Sequence, residues 1–364
     1  MHIAKLGRVF AGRAFSYAVC RHVSQLRWYF MTRPRQEFVG MACLLLTALI
    51  WGFAFVSQVQ GMDSMTPLFF NATRFTLGAL SLIPLLVWRR IRSGGVAVRD
   101  EKTLLDNRMN RMSDTPNRSL STALLFANPV IVGLICGIVL FAASTLQQYG
   151  ILYGRSAGRA GFITALYIVM VPLLAFAFLR RRVSVMTIVA VIVSVVGFYL
   201  LCITDGFGSI TLADLLLLFT AVLFATHILV IDMIGGRVEP LTLSFVQFMT
   251  TSVLSWIGSL VEGSIDWTGA LQAWPAVLYA GIGSVGIAYT LQAVGQQWVP
   301  PTRASLIMSL ESLFSAVGGA LLLGEIMTVR GYIGCALIFA GTLIAQLPAR
   351  LSQLSEPHQP EEHH

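Results

Sequence analysis

Residues 45–55 read LLTALIWGFAF, and residues 218–228 read LFTAVLFATHI. Laid over one another at an offset of 173, they put Thr47 on Thr220, Ala48 on Ala221 and Trp51 on Phe224. The same offset carries Pro67 onto Pro240 and Phe75 onto Phe248 without a gap. Further along, TLQQYG (145–150) matches TLQAVG (290–295) at an offset of 145. RAGFI (159–163) then matches RASLI (303–307) at 144, and Gly197 meets Gly341 at the same shift. A repeat of this kind decides the architecture before any local element does. Two long ungapped registers, each holding a proline or a TLQ triplet, are more than the chance likeness of apolar helices.

Composition says what is being repeated. Of 364 residues, 56% are hydrophobic and 12% charged, half of the roughly 25% charge that a soluble domain carries. Apolar residues cluster in runs near the ~20 residues that span a hydrocarbon core. The chain therefore reads as an all-α integral membrane protein. Ten spans are expected, at 40–60, 67–88, 129–151, 159–179, 184–203, 211–234, 240–261, 273–296, 302–323 and 328–347. Five cysteines are scattered without metal spacing or disulfide framework and read as buried small hydrophobes.

The basic residues test that reading, because cytoplasmic loops carry the excess of Lys and Arg. With the N-terminus inside, 21 of the 25 Lys and Arg fall in inner segments, three in outer loops (Arg155, Arg159, Arg330) and one, Arg74, within a span. Both termini are thus expected in the cytoplasm, and a pI near 9.6 reports orientation without calling for a nucleic-acid partner. Five spans per repeat is an odd number, so the second copy enters the membrane from the opposite side. Such inverted repeats are common in secondary transporters, with the substrate site near the midplane between the halves.

The expected domains are a basic arm at 1–39, a first repeat at 40–204 that includes a polar cytoplasmic loop at 89–127, a second repeat at 211–347 and a polar tail at 348–364. The arm holds seven Lys/Arg before the first span. It reads either as a surface-lying basic segment or as a stretch ahead of a true start at Met31 or Met41.

The pattern LIWGFAF in span 1, Arg74–Phe75 in span 2, SAGRAGFITALYIVMVPLLAFAFLRRR in span 4 and SLESLFSAVGGALLLGE ending at Glu325 resembles the drug/metabolite transporter superfamily, EamA type, over about residues 40–347. The resemblance implies a ten-helix, two-repeat carrier of small metabolites, often directed outward and independent of ATP. The first repeat departs from the pattern: it ends in LRRRVS (179–184), where the family carries a Gly-Glu pair like Gly324–Glu325.

Polar residues within spans are costly and usually face the bundle interior or a wet cavity. Tyr289, Gln292 and Gln296 fall at i, i+3 and i+7 of span 8, on one face, and Gln147 of span 3 matches Gln292. Their amides suit a polar substrate, or else fasten helices together. Arg74 lies about 10 Å inside span 2 with Gln247 as its repeat partner. It reads as an anchor for a carboxylate or phosphate, as a structural partner of Glu311, or as a snorkelling side chain. His227 reads as a substrate or proton contact or as a satisfied structural histidine. Trp51, with its counterpart Phe224, reads as an aromatic wall of the cavity or as ordinary packing.

Glu311 stands near the middle of span 9 and matches Tyr167. Desolvation of a carboxylate there demands a proton or a partner. Three roles compete: proton coupling, contact with a cationic substrate, or pairing with Arg74. The stretch GIGSVG (281–286) fits the dinucleotide pattern G-x-G-x-x-G but lies in an apolar helix, where glycines serve close packing. No P-loop, cofactor motif, metal-ligand spacing or catalytic spacing is present, so neither an enzyme nor a cofactor is expected.

The expected function is a secondary transporter in the cytoplasmic (inner) membrane. It would move an amino acid or related metabolite, export favoured, by alternating access with protons as candidate partners. The candidate substrate residues are Trp51, Arg74, Gln147, Tyr167, His227, Gln247, Tyr289, Gln292 and Glu311. The alternative is a non-transporting membrane scaffold or sensor acting through the 89–127 loop.

Overall fold

The computed structural model describes residues 36–92, 128–179, 185–202, 210–234, 238–299, 304 and 307–345. The N-terminal arm, most of the 89–127 loop, the arginines at 180–182, Arg237, Arg303 and the tail from 346 lie outside them. Among the described residues the regular secondary structure is all helical, without a strand. Seven helices are long and apolar enough to cross a membrane, each with about half of its central window exposed on the exterior. They are α1 (Gln36–Gly61), α2 (Pro67–Arg92), α3 (Pro129–Gly154), α4 (Ala157–Thr164 and Tyr167–Leu179), α6 (Leu212–Ile234), α7 (Pro240–Glu262) and α8 (Trp274–Gly295). Three further helices, α5 (Val185–Cys202), α9 (Leu310–Leu322) and α10 (Val329–Ala345), contain shorter apolar stretches. Large apolar side chains such as Ile188, Ile192 and Val195 face outward, as lipid requires. The chain is a multi-pass membrane protein.

Local chemistry sets the boundaries. α3 opens with Asn128 accepting the Val130 amide at 2.9 Å and Pro129 at the first turn. α6 opens with a reciprocal cap in which Thr211 and Asp214 each bond the other's backbone, the capping-box arrangement. α7 opens with Glu239 accepting the Leu241 and Thr242 amides and closes on Gly263 at φ +63°, where a left-handed residue ends a helix without steric cost. α2 continues four residues beyond the span expected from hydropathy and ends at Arg92. Arg89, Arg90 and Arg92 occupy its last turn, where cations complement the helix dipole.

α4 is interrupted at Ala165–Leu166, where Leu166, Ile168 and Val169 bond three residues back. α8 departs further, since Tyr279–Tyr289 forms an 11-residue π-helical run. Extended π-helix is rare and concentrates at functional sites. The GIGSVG stretch lies within it and serves packing: a Cβ on Gly281 would stand 2.8 Å from Leu77 of α2.

Helix neighbours follow a two-fold pattern. α2 packs on α7, α5 on α10 and α4 on α9, while α3 packs on α6 and on α7, and α8 on α2. Thr47 of α1 donates to the Ala288 carbonyl of α8 at 3.1 Å, and Thr220 of α6 donates to the Ala143 carbonyl of α3 at 3.4 Å. The sequence register pairs Thr47 with Thr220 and Ala143 with Ala288, so matched positions make matched bonds. In the α5–α10 pair a Cβ on Gly197 would meet the Gly334 carbonyl at 2.7 Å, and one on Gly334 would meet the Gly197 carbonyl at 2.7 Å.

Polar contacts mark the two ends. Arg155 bonds Asp63, Arg159 bonds Asp214, Tyr149 bonds Glu262 and Ser156 bonds Glu325, all at one end. Arg89 and Glu239 pair at the other.

Candidate functional site

Seven helices converge on one cavity. α1 contributes Trp51, Phe55 and Gln58, and α2 contributes Arg74. Gln147 enters from α3, and Thr164 and Tyr167 flank the break in α4. From the other half come Phe224, His227 and Ile228 of α6, Ser284, Tyr289 and Gln292 of α8, and Glu311 of α9. The repeat register matches Trp51 with Phe224, Phe55 with Ile228, Gln147 with Gln292 and Tyr167 with Glu311, and each pair lines the cavity from both sides.

Eight of the nine candidates named from sequence line this cavity. Gln247 does not. It is fully buried in α7 behind His227, whose Nε2 lies 3.0 Å from Gln247 Oε1. Its repeat partner Arg74 has the longer side chain and reaches the cavity from the matched position. Gln296 also falls outside the lining, although Gln292 is within it. Phe55, Gln58, Thr164, Ile228 and Ser284 were not singled out from sequence. Gln58 and Thr164 are polar residues within spans and obey the rule that found the others. Ser284 left no such signal, because its place depends on the π-helical run.

Tyr289 is the hub of the aromatic wall. Its ring stands 4.6 Å from Trp51, 5.9 Å from Phe248 and 6.4 Å from His227, each edge to face. Trp51 donates its indole N–H to the Ser284 carbonyl at 3.2 Å, which ties α1 to the π-helical run.

Arg74 is 3% exposed and Glu311 is 3% exposed, yet among the described residues they form no ion pair with one another. The Arg74 guanidinium lies over Phe75 and Phe70 at 5.1 and 5.5 Å, and its Nε has no hydrogen-bond partner. Glu311 Oε1 likewise has none. The Tyr167 hydroxyl lies beside Glu311 and interacts with it, and Tyr289 is within electrostatic reach of both charges. Gln58 Oε1, Thr164 Oγ1 and Gln292 Oε1 complete a set of buried, unpartnered polar atoms around the cavity. Such atoms are costly in a dry interior, so the lining suits a polar ligand with complementary charged ends. Among the described residues no cluster of three metal-ligating side chains occurs.

Comparison with known proteins places this arrangement. The chain is 27% identical over 307 residues to an uncharacterized transporter of Archaeoglobus fulgidus, covering 84% of each chain. It is 24% identical over 316 residues to the uncharacterized transporter YwfM of Bacillus subtilis, covering 86% of this chain and 95% of that one. A crystal structure shares the fold at a TM-score of 0.58 and 18% identity, covering 89% of this chain and all of the other. The sequence model of the EamA-like transporter family matches twice, at residues 38–203 and 211–346. The chain belongs to the EamA-like transporter family.

Proposed function

We propose that this protein is a secondary transporter of ten membrane-spanning helices in two inverted five-helix repeats, moving an amino acid or related small metabolite by alternating access. The two family matches, the matched threonine bonds and the matched cavity pairs support the repeat. Counting the three shorter apolar helices as spans, and leaving out the six-residue helix Trp267–Gln272, brings the seven long ones to ten. Arg89, Arg90 and Arg92 stand at the Glu239 end, and with the excess of Lys and Arg that the sequence assigns to inner segments this supports cytoplasmic termini in an inner membrane. Export is the direction implied by the family resemblance.

The observation that carries the substrate reading is the unpaired state of Arg74 and Glu311 in one cavity. A buried charge without a partner is strongly disfavoured, and two opposite charges held apart call for a ligand that answers both. An α-amino acid does so, with its carboxylate toward Arg74 and its ammonium toward Glu311. The aromatic and aliphatic walls at Phe55, Phe224 and Ile228 then face its side chain. Glu311 holds a proton when the ammonium is absent, which makes proton and substrate alternative occupants of one carboxylate.

The test is a thermal-shift screen of the purified protein against amino acids, amines and carboxylates, since a ligand of the folded state raises its melting temperature. Zwitterions are expected to stabilise it where the matched amine and the matched carboxylic acid do not. Equal stabilisation by either half-ligand would sink the substrate reading.

A further inference from the structure

Glu325 follows α9 in the second half of the chain, after Gly324 at φ +67° turns the backbone. Its carboxylate reaches the first half: it accepts the Ser156 hydroxyl at 2.9 Å, the Ala157 amide at 2.6 Å and the Gly158 amide at 3.1 Å. These are free N–H groups at the start of α4, and an anion there gains from both hydrogen bonding and the helix dipole. Below this contact α4 and α9 meet along small residues. A Cβ on Gly158 would lie 3.3 Å from the Ala316 Cα, and Gly161 faces Ser315 too closely to carry one. At the inner end of the same seam Tyr167 and Glu311 face each other across the cavity.

We propose that Glu325 is the latch of a gate between α4 and α9, holding the cavity closed at that end until the seam parts. The inference rests on the alternating-access reading. The seam is glycine- and serine-rich, so the helices approach closely, with Met327 packed against Gly158, and the Glu325 bonds fasten it across the two halves. α4 has a second tie at this end, the two-pronged bond from Arg159 to Asp214 at 2.8 and 2.7 Å. That tie runs to α6 and does not cross the seam, so α4 stays on α6 when the latch lets go. In the repeat register Glu325 falls on Arg181, so the sequence supplies this carboxylate once.

The test uses the full chain in lipid nanodiscs, with native cysteines replaced and nitroxide labels on Tyr153→Cys and Leu322→Cys, both exposed. The distance between them reads the opening of the seam without any substrate. Closed distances are expected to dominate in the parent. Glu325→Ala should raise the ratio of open to closed molecules roughly tenfold or more, as the loss of charge-assisted bonds would give. Asp214→Asn, at the same end, should leave the distance unchanged. Bridging Ser156→Cys to Glu325→Cys with a short bifunctional thiol reagent should restore the closed distance and separate latching from misfolding. An unchanged distribution in Glu325→Ala, or an open one after bridging, overturns the proposal. Amino-acid-induced thermal shifts on the same samples keep the readings apart. A shift without opening sinks the latch alone, and opening without any shift in the parent sinks the cavity reading alone.

Discussion

Arg74 and Glu311 line one cavity from the two halves of the chain, each nine-tenths buried or more, without pairing. Had they been a structural ion pair, removing one would leave the other uncompensated and destabilise the fold by about 3–5 kcal/mol. Unpaired, Arg74 already bears that cost, and Glu311 avoids it by holding a proton while no ligand is present. Arg74→Gln and Glu311→Gln are therefore expected to keep or raise the melting temperature of the ligand-free protein. Each should weaken zwitterion binding about 10- to 100-fold, the size of a lost charged hydrogen bond. Thermal unfolding with and without ligand reads both effects.

If proton and ammonium alternate on Glu311, flux in proteoliposomes depends on pH in the parent and loses that dependence in Glu311→Gln. Counterflow at a single pH should survive in the mutant better than uptake driven by a pH gradient. A full pH response in Glu311→Gln would remove Glu311 from the coupling.

His227 and Gln247 share one buried hydrogen bond of 3.0 Å. Gln247→Leu strands a histidine nitrogen and should cost about 1–3 kcal/mol. The double variant with His227→Leu should lose less than the two single losses added, because neither residue is then left unpartnered. Chemical unfolding of the four proteins in detergent gives the coupling.

Glu239 offers a pH signature outside the membrane. Burial alone would raise its pKa, but hydrogen bonds from Thr242 and Leu241, with Arg89 nearby, hold it below the usual carboxylate value. A depressed folded pKa gives stability that is present above the unfolded value and lost as pH falls through the folded one. Glu239→Gln should thus melt below the parent at neutral pH, and the gap should close on acidification through that range.

Much of this was legible in the sequence, for identifiable reasons. Hydropathy and the repeat put most helix boundaries within a few residues because a membrane punishes every unpaired backbone group; α9 is the exception, opening at Leu310 where the span was expected from 302. Polar residues inside spans led to the cavity because lipid leaves them nowhere else to go. What stayed hidden depends on side-chain reach and long-range contact. Gln247 shares a repeat position with Arg74 but not its length, so it stops one layer short. Glu325 bonds Ala157 across 168 residues of chain, and no local pattern announces that partner. The π-helical run of α8 is hidden for another reason: its sequence is as apolar as an α-helix, and only the bonding register differs.

That run also has a consequence for chain length. Deleting one residue from an α-helix turns everything beyond it by about 100°, which would swing Gln292 away from its neighbours. A π turn holds a residue more than an α turn does, since its bonds reach five residues and not four. The segment from Tyr279 to Tyr289 can surrender a residue and close up as α-helix, leaving both flanks in place. A span in which almost every length change would be ruinous thus contains a stretch of slack, directly beside the ligand cavity.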